Sequence, residues 1–339
     1  MNWHDLNVLV TGGTGSFGRR FAKIVLRDCP PKKLIIFSRD ELKQHEMRLK
    51  FPDEGDSPLR YFVGDVRDRD RLYRAFDGVD IVIHAAALKQ VPSCEYNPLE
   101  AIKTNILGAA NVIDAAIDRN VKKVIGLSTD KAANPINLYG ATKLCADKLL
   151  VAANSYSGLH RTAFSVVRYG NVLGSRGSVI PLFLNMRDKG VLPITDPGMT
   201  RFWITLDHGV KFVLRCVERM KGGEIFVPKI PSMKLLDLAR VIGPECRLEI
   251  TGIRPGEKLH EVMIPEDDAR HTVEYEDYYV ILPAFDQNDT PRYIRDNGGK
   301  QCPEGFRYGS DTNTRWLSVE ELSEMISSVR VSGNAEVRD

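Results

Sequence analysis

Short apolar runs and amphipathic stretches take turns along the first half of the chain. LNVLVTG, KKLIIFS, LRYFVGD, VDIVIHAAA, VKKVIGLST and TAFSVVRYGN read as six strands. Between them lie stretches with helical spacing, such as FGRRFAKIVLRD and PLEAIKTNILGAANVIDAAIDRN. Strand and helix repeated in this way predict an α/β fold with a parallel sheet covered on both faces and right-handed crossovers. Past about residue 170 the pattern breaks into Gly- and Pro-rich loops (GSRGSVIP, LPITDPGMTRFW, GIRPGEK) and short helices (LDHGVKFVLRCVERM, KLLDLARVIG). The polar segment from Asp286 to Gly309 reads as a loop, and SVEELSEMISSVR as a last helix with Ser318 and Glu321 as a capping box. This divides the chain into residues 1–170, which carry the regular α/β pattern, and residues 171–330, whose elements partly return to the first unit.

Composition narrows the picture only by exclusion. A 339-residue chain with 43% hydrophobic and 27% charged residues builds a sizeable soluble core. Its formal net charge of +2 gives no case for nucleic acid. No apolar run approaches the ~20 residues of a membrane helix, so neither anchor nor signal peptide is expected. The six cysteines form no C-x-x-C pair and none stands beside a histidine at zinc spacing. Reduced thiols in a cytoplasmic protein, with no metal site, are expected.

VLVTGGTGSFGRR sets Gly12, Gly15 and Gly18 between the first strand and a helix. Glycines there allow a tight turn and bring backbone N–H groups to a pyrophosphate at the helix N-terminus. At the end of the second strand stand Ser38, Arg39 and Asp40. An arginine there suits the 2′-phosphate of NADP, whereas a carboxylate suits the free ribose hydroxyl of NAD. NADP is preferred, and Asp40 keeps NAD open. Glu41 and Lys43 complete the candidates, with a solvated helix start as their alternative. Asp65 and Val66 follow the third strand, where an adenine ring would lie. Ala85, Ala86 and Ala87 follow the fourth, small enough for the backbone to pass close to a cofactor.

The fifth strand runs into STDKAANPINLYGATK. Tyr139 and Lys143 have the i, i+4 spacing that puts both on one helix face. A nearby ammonium lowers a phenol's pKa and makes it a base toward a substrate hydroxyl, with Thr129 as its partner. Asp130 and Lys131 add a carboxyl and an amine, able to supply an acid and a base if their surroundings move both toward neutrality. Burial and the Lys143 charge are expected to lower the Lys131 pKa, against Asp130.

TGGTGSFG, HAAA, the ST of strand five and YGATK together resemble the extended short-chain dehydrogenase/reductase superfamily. FSRDELKQHEM, STDKAANPINLYGATKL, RYGNVLGSRGSVIPLF, ITDPGMTRFWIT, GGEIFVPKIPSMK and GIRPGEKLHEVMI are similar to the inverting UDP-N-acetylglucosamine 4,6-dehydratases, over roughly residues 6 to 283. The resemblance implies a Rossmann-type doubly wound sheet and a tightly bound NADP regenerated in each turnover. It also implies a cytoplasmic homo-oligomer, a dimer or a hexamer. The implied reaction gives UDP-2-acetamido-2,6-dideoxy-β-L-arabino-hex-4-ulose, a first step toward pseudaminic acid-type surface glycans. Thr14, Ser16, Phe17, Asn105 and Val172 are implied cofactor neighbours. Lys89, Asn171, Arg176, Gly177, Ser178, Val179, Thr195, Arg201, Arg254 and Glu257 are implied around the UDP-sugar, the arginines because a planar fork suits a pyrophosphate.

Within that family the extra pair has a use. Retaining sugar dehydratases carry Asp-Glu after the threonine; here it is Asp130-Lys131. Tyr139 is expected to take the carbon-4 hydroxyl proton, Lys131 the carbon-5 proton, and Asp130 to assist loss of water from carbon 6. A UDP-sugar 4-epimerase is the first alternative, although epimerisation has no need of the pair. A non-catalytic dinucleotide sensor is the second, and the intact Tyr139/Lys143 pair argues against it.

Overall fold

The computed structural model describes residues 1–158, 162–173, 179–284 and 289–327. Its six N-terminal strands are β1 (Asn7–Thr11), β2 (Lys33–Ser38), β3 (Leu59–Val63), β4 (Ile81–His84), β5 (Lys123–Thr129) and β6 (Ala163–Tyr169). β1 pairs in parallel with β2 on one side and β4 on the other, with Val10 opposite both Ile36 and Ile83. The chain winds from β1 outward to β3, then jumps to β4 and winds the other way through β5 and β6. This doubly wound order opens a crevice at the carboxyl ends of β1 and β4, where the winding reverses. Val8, Leu9, Val10 and Ile81–Ile83 are buried, which explains why these runs are apolar without alternation.

The sheet does not stop at β6. Ile225–Pro228 joins it in parallel, and Tyr278–Ile281, Thr272–Glu274 and Lys300–Gln301 extend it antiparallel, for ten strands in all among the described residues. Helix Ser16–Asp28 packs against helix Leu206–Arg219, and the two share an Arg20–Asp207 ion pair. Helix Gly108–Asp118 packs between helices Arg69–Ala75 and Leu138–Tyr156. A second, smaller core gathers Ile180, Phe183, Leu192, Ile194, Trp203, Leu238, Leu322 and Ile326. The C-terminal half therefore both completes the sheet and roofs the crevice.

Two details differ from the sequence reading. The segment read as a loop over Asp286–Gly309 contains a helix, Asp289–Asn297, and short strands at Lys300–Gln301 and Tyr308–Gly309. Pro291 stands in the helix's first turn, where a missing N–H costs nothing, and Gly298 and Gly299 leave it with φ of 73° and 93°. The Pro and Gly were start and stop signals. The long stretch from Pro98 is interrupted by one π-helical turn, Lys103–Leu107, which turns Thr104 and Asn105 inward. The expected last helix is present over 319–327, and its capping box is closed: Glu321 N donates to Ser318 Oγ (3.2 Å) and Ser318 N to Glu321 Oε2 (2.9 Å).

Candidate active site

The crevice is a cleft of ≈ 1140 Å³ that runs from the glycine turn to the second core. At one end Gly12 has φ +65°, and a Cβ there would stand 2.9 Å from Ala86 Cα. Glycine is required on both counts, conformation and close passage. Thr11 ties the two strand ends together: its Oγ1 accepts from Ala85 N and Ala86 N, 3.2 Å each, and lies 2.8 Å from His84 Nδ1. Burial, with Lys143 nearby, pushes the His84 pKa down to about 3. Thr14, Gly15, Ser16, Phe17, Val66 and Ala85–Ala87 line the cleft. Gly18 does not line it; a Cβ there would meet Gly13 O at 2.3 Å, so this glycine seats the helix on the turn.

At the end of β2, Thr14 Oγ1 and Ser38 Oγ are 2.8 Å apart. Asp40 is occupied as a helix cap: Lys43 N donates to its Oδ1 at 3.0 Å, and Lys43 Nζ pairs with Oδ2. The Lys43 bonds hold its pKa below the usual carboxylate range. Arg39 lines the cleft with 55% of its side chain exposed, 3.8 Å from Asp65 Oδ2, which also accepts from Arg67 at 2.7 Å. Glu41 is exposed and does not line the cleft. Asn105 does not line it either. It is 1% exposed and clamps the Leu88 backbone from both sides, accepting from Leu88 N (2.8 Å) and donating to Leu88 O (2.9 Å), so it fixes the loop that carries Lys89.

Near the middle of the cleft β5 delivers Thr129, a single 3₁₀ turn carries Asp130 and Lys131, and Asn137 caps the helix that holds Tyr139 and Lys143. Gly140 lets this helix sit on the turn: a Cβ there would lie 2.2 Å from Lys131 O. Thr129, Lys131, Tyr139 and Lys143 all line the cleft. Asp130 lies beneath it, fully buried, its Oδ1 accepting from Thr129 Oγ1 (2.9 Å) and Lys131 Nζ (3.0 Å). Its Oδ2 has no hydrogen-bond partner among the described residues. Burial raises the Asp130 pKa, against the pull of Lys131.

The protonation expected from the sequence is corrected in two places. Burial does work to lower the Lys131 pKa, but the carboxylates of Asp130 and Glu261 outweigh it, and the amine is held protonated. Burial pushes the Tyr139 phenol up to about 12, although the Lys131 charge and the Thr129 hydroxyl pull it down. The ammonium that acts most on Tyr139 is thus Lys131 rather than Lys143, whose own pKa is lowered by burial.

On the far side Lys89, Asn171, Val172, Val179, Thr195, Arg201, Arg254 and Glu257 line the cleft; Arg176, Gly177 and Ser178 lie outside the described residues. Asn171 Oδ1 accepts from Lys131 Nζ at 3.2 Å. The Arg201 fork is largely engaged, donating to Thr200 O (2.7 Å), Leu259 O (3.1 Å) and Lys258 O (2.9 Å). Arg254 is exposed. Three residues absent from the sequence reading belong here. Lys258 Nζ donates to Ala133 O at 2.6 Å and Asn137 Nδ2 to Gly256 O at 2.7 Å, stitching the 254–258 loop to the catalytic turn. Glu261 Oε1 lies 3.2 Å from Lys131 Nζ. Its position within GIRPGEKLHEVMI was visible, but its partners are far away in sequence and no spacing announces them.

A doubly wound sheet with a glycine turn at its switch point, and a Tyr-Lys pair on the helix after β5, defines a Rossmann-type chain of the short-chain dehydrogenase/reductase class. Sequence comparison is more specific. The chain belongs to the family described as polysaccharide biosynthesis protein, which matches residues 8–283. It is 57% identical to a UDP-N-acetylglucosamine 4,6-dehydratase (inverting) of Campylobacter jejuni subsp. jejuni serotype O:2, over 95% of this chain and 97% of that one. It is 41% identical to a UDP-glucose 4-epimerase of Rickettsia canadensis, over 95% of each. The structure of Pen from Bacillus thuringiensis superposes with a TM-score of 0.88 at 37% identity, covering 98% of this chain and 99% of that one.

Proposed function

We propose that this chain is a UDP-N-acetylglucosamine 4,6-dehydratase that inverts carbon 5, makes the 4-keto-6-deoxy sugar for pseudaminic acid-type glycans, and uses NADP. The observation that carries the reading is the Asp130–Lys131 pair, 3.0 Å apart, with Lys131 lining the same cleft as Tyr139 and Lys143 and Asp130 buried directly beneath it. It stands beside 57% identity to an inverting dehydratase.

The cleft fits a dinucleotide: a Cβ at Gly12 would fill the passage beside Ala86, and the helix from Ser16 opens there with no acidic residue in its first turn. Arg39 and Lys43 suit a 2′-phosphate, and Asp40, already spent as a cap, leaves the carboxylate expected for NAD without a ribose to hold. When bound, a nicotinamide dinucleotide accepts a hydride and returns it.

The remaining work is proton transfer by this chain. Tyr139 Oη, once ionised with the help of the Lys131 charge and the Thr129 hydroxyl, takes the carbon-4 hydroxyl proton as a phenolate, and the resulting ketone acidifies carbon 5. Asp130 and Lys131 share one proton across their hydrogen bond. The pair rests as ammonium and carboxylate; passing that proton from Lys131 to Asp130, helped by the burial of Asp130, gives a free amine beside a donor carboxylic acid. Lys131 then takes the carbon-5 proton, while Asp130 supplies a proton to the carbon-6 hydroxyl through the Thr129 hydroxyl that lies between it and the cleft, and water leaves.

We further propose a cytoplasmic homo-oligomer. Among the described residues no helix is long and apolar enough to cross a membrane. Exposed Tyr96, Leu99 and Leu107 offer an apolar face to a second copy. Incubation with UDP-N-acetylglucosamine in D₂O and NMR of the sugar tests the reading. A 6-deoxy-4-keto product with deuterium at carbon 5, formed without added reductant or oxidant, is expected. A 4-epimer that keeps its 6-hydroxyl would establish the epimerase instead.

A further inference from the structure

Glu261 has no part in the reaction as set out above, yet it is a buried carboxylate set against the catalytic lysine. It is 2% exposed and stands among three cations: Oε1 lies 3.2 Å from Lys131 Nζ and 3.9 Å from Arg201 Nε, and Oε2 lies 3.9 Å from Lys258 Nζ. Its backbone is fixed from behind, with a 2.9 Å bond between Glu261 N and Ser310 Oγ and a 2.8 Å bond from Ser310 N to Glu261 O. Ser310 Oγ in turn lies 2.7 Å from Thr200 Oγ1, one residue from Arg201.

The lysine end of this contact has a stoichiometry. An ammonium has three N–H donors, and Lys131 Nζ has three acceptors around it: Asp130 Oδ1 at 3.0 Å, Asn171 Oδ1 at 3.2 Å and Glu261 Oε1 at 3.2 Å. They come from the 3₁₀ turn after β5, from the segment after β6, and from the segment leading into strand Val262–Ile264. A flexible four-carbon side chain is thereby fixed at its tip by three separate parts of the fold.

We propose that Glu261 is a positioning residue for Lys131: a carboxylate, anchored from outside the cleft, that holds the catalytic amine in place and governs when it gives up its proton. The proposal deepens the dehydratase reading and rests on it for the carbon at which the held amine works. The groups that face Lys131 are Asp130 from its own turn, Tyr139 from helix Leu138–Tyr156, Glu261 and Lys258 from the segment before strand Val262–Ile264, and Arg201 from strand Thr200–Ile204. The two carboxylates favour the ammonium and the two other cations oppose it, so removing Glu261 shifts the balance toward the free amine. It also removes one of the three acceptors. The variant is thus predicted to hold a more easily deprotonated but less well aimed lysine, a combination that neither a packing defect nor a simple loss of charge produces.

The test measures Lys131 directly, without substrate. Full-length wild type, Glu261→Gln and Glu261→Asp are labelled with acetic anhydride across a pH series, and each lysine is quantified by peptide mass spectrometry. At about pH 9 Lys131 in Glu261→Gln is expected to react at least roughly tenfold faster than in wild type, because a lost opposite charge at this distance moves a buried amine by a unit or more. Lys143 is expected to be unchanged. Glu261→Asp, which keeps the charge but retracts it by one methylene, is expected to lie between the two, and it carries the measurement if the glutamine variant does not fold. With UDP-N-acetylglucosamine in D₂O, Glu261→Gln is expected to lose deuterium incorporation at carbon 5 by a larger factor than carbon-4 oxidation. Unchanged Lys131 labelling, or equal increases at Lys131 and Lys143, overturns the proposal. A shifted Lys131 in an enzyme whose wild type does not dehydrate UDP-N-acetylglucosamine overturns the substrate reading and leaves the holding role standing.

Discussion

Around the glycine turn the cleft is walled by backbone and by small residues. Gly12 and Ala86 pass within a Cβ's width of each other, Thr11 pins the ends of β1 and β4, and the charged groups nearby, Arg39, Lys43 and Asp65, stay at the exposed rim. Around Lys131 the wall is made of side chains, most of them charged and buried, brought from four separate segments: Asp130, Asn171, Arg201 and the stretch from Lys258 to Glu261. The first region recognises shape with groups that cost little to bury. The second packs ions out of water, which is expensive unless every charge is countered. A dinucleotide that is only held needs the first arrangement. Chemistry at two adjacent carbons needs the second, because groups must change protonation without rearranging.

The widest separation of the two regions is expected from Lys131→Ala. Loss of a general base is expected to cut product formation by on the order of 10²–10⁴-fold. Dinucleotide affinity, measured by calorimetry, should stay at the wild-type value, and carbon-4 oxidation should still appear as reduced-nicotinamide absorbance that persists. Tyr139→Phe, by contrast, should prevent that absorbance from forming. If Lys131→Ala keeps normal deuterium incorporation at carbon 5, the base is another group, and Tyr139 acting twice is next in line.

A smaller effect is confined to the first region. Arg39→Ala should weaken NADP binding roughly ten- to a hundredfold, from the loss of a charge-assisted bond of about 1.5–3 kcal/mol, and leave NAD binding nearly unchanged. Equal losses for the two cofactors would reduce Arg39 to a loop support.

Smallest of all is Asp40→Ala. As a cap of helix Glu41–Lys50 the residue should contribute about 0.5–2 kcal/mol to stability, seen in denaturant unfolding, with Asp40→Asn restoring most of it. Neither change should alter NAD affinity. A selective loss of NAD binding would return Asp40 to the ribose and dissolve the case for NADP.

The same contrast marks what could be read from the chain alone. The glycine turn, the alanines after β4 and the Tyr-Lys spacing are local patterns, and the six strands that place them are near-continuous apolar runs; all were legible because their physics acts over a few residues. Asp40 as a cap was legible in principle, since an Asp directly before a helical run is an N-cap signal, but the ribose reading competed for it. The helix at Asp289–Asn297 was missed because its proline and glycines are punctuation at its ends and resemble a loop when read without the boundaries.

By itself the sequence determined the parallel run of the first six strands, the glycine turn between the first strand and its helix, and the list of chemical groups after β5. Only the tertiary structure decided their protonation and their company. Lys131 was expected to be lowered toward neutrality by burial and Lys143; instead Asp130 and Glu261, the second 130 residues away and introduced by no spacing rule, together hold it charged. Arg201 looked like a free fork for a pyrophosphate, and three carbonyls hold it. The physical reason is range. Propensity, turn geometry and hydrophobic periodicity are set by near neighbours in sequence, whereas the pKa of a buried group is set by whichever charges the fold brings within a few ångströms in a medium that screens them poorly.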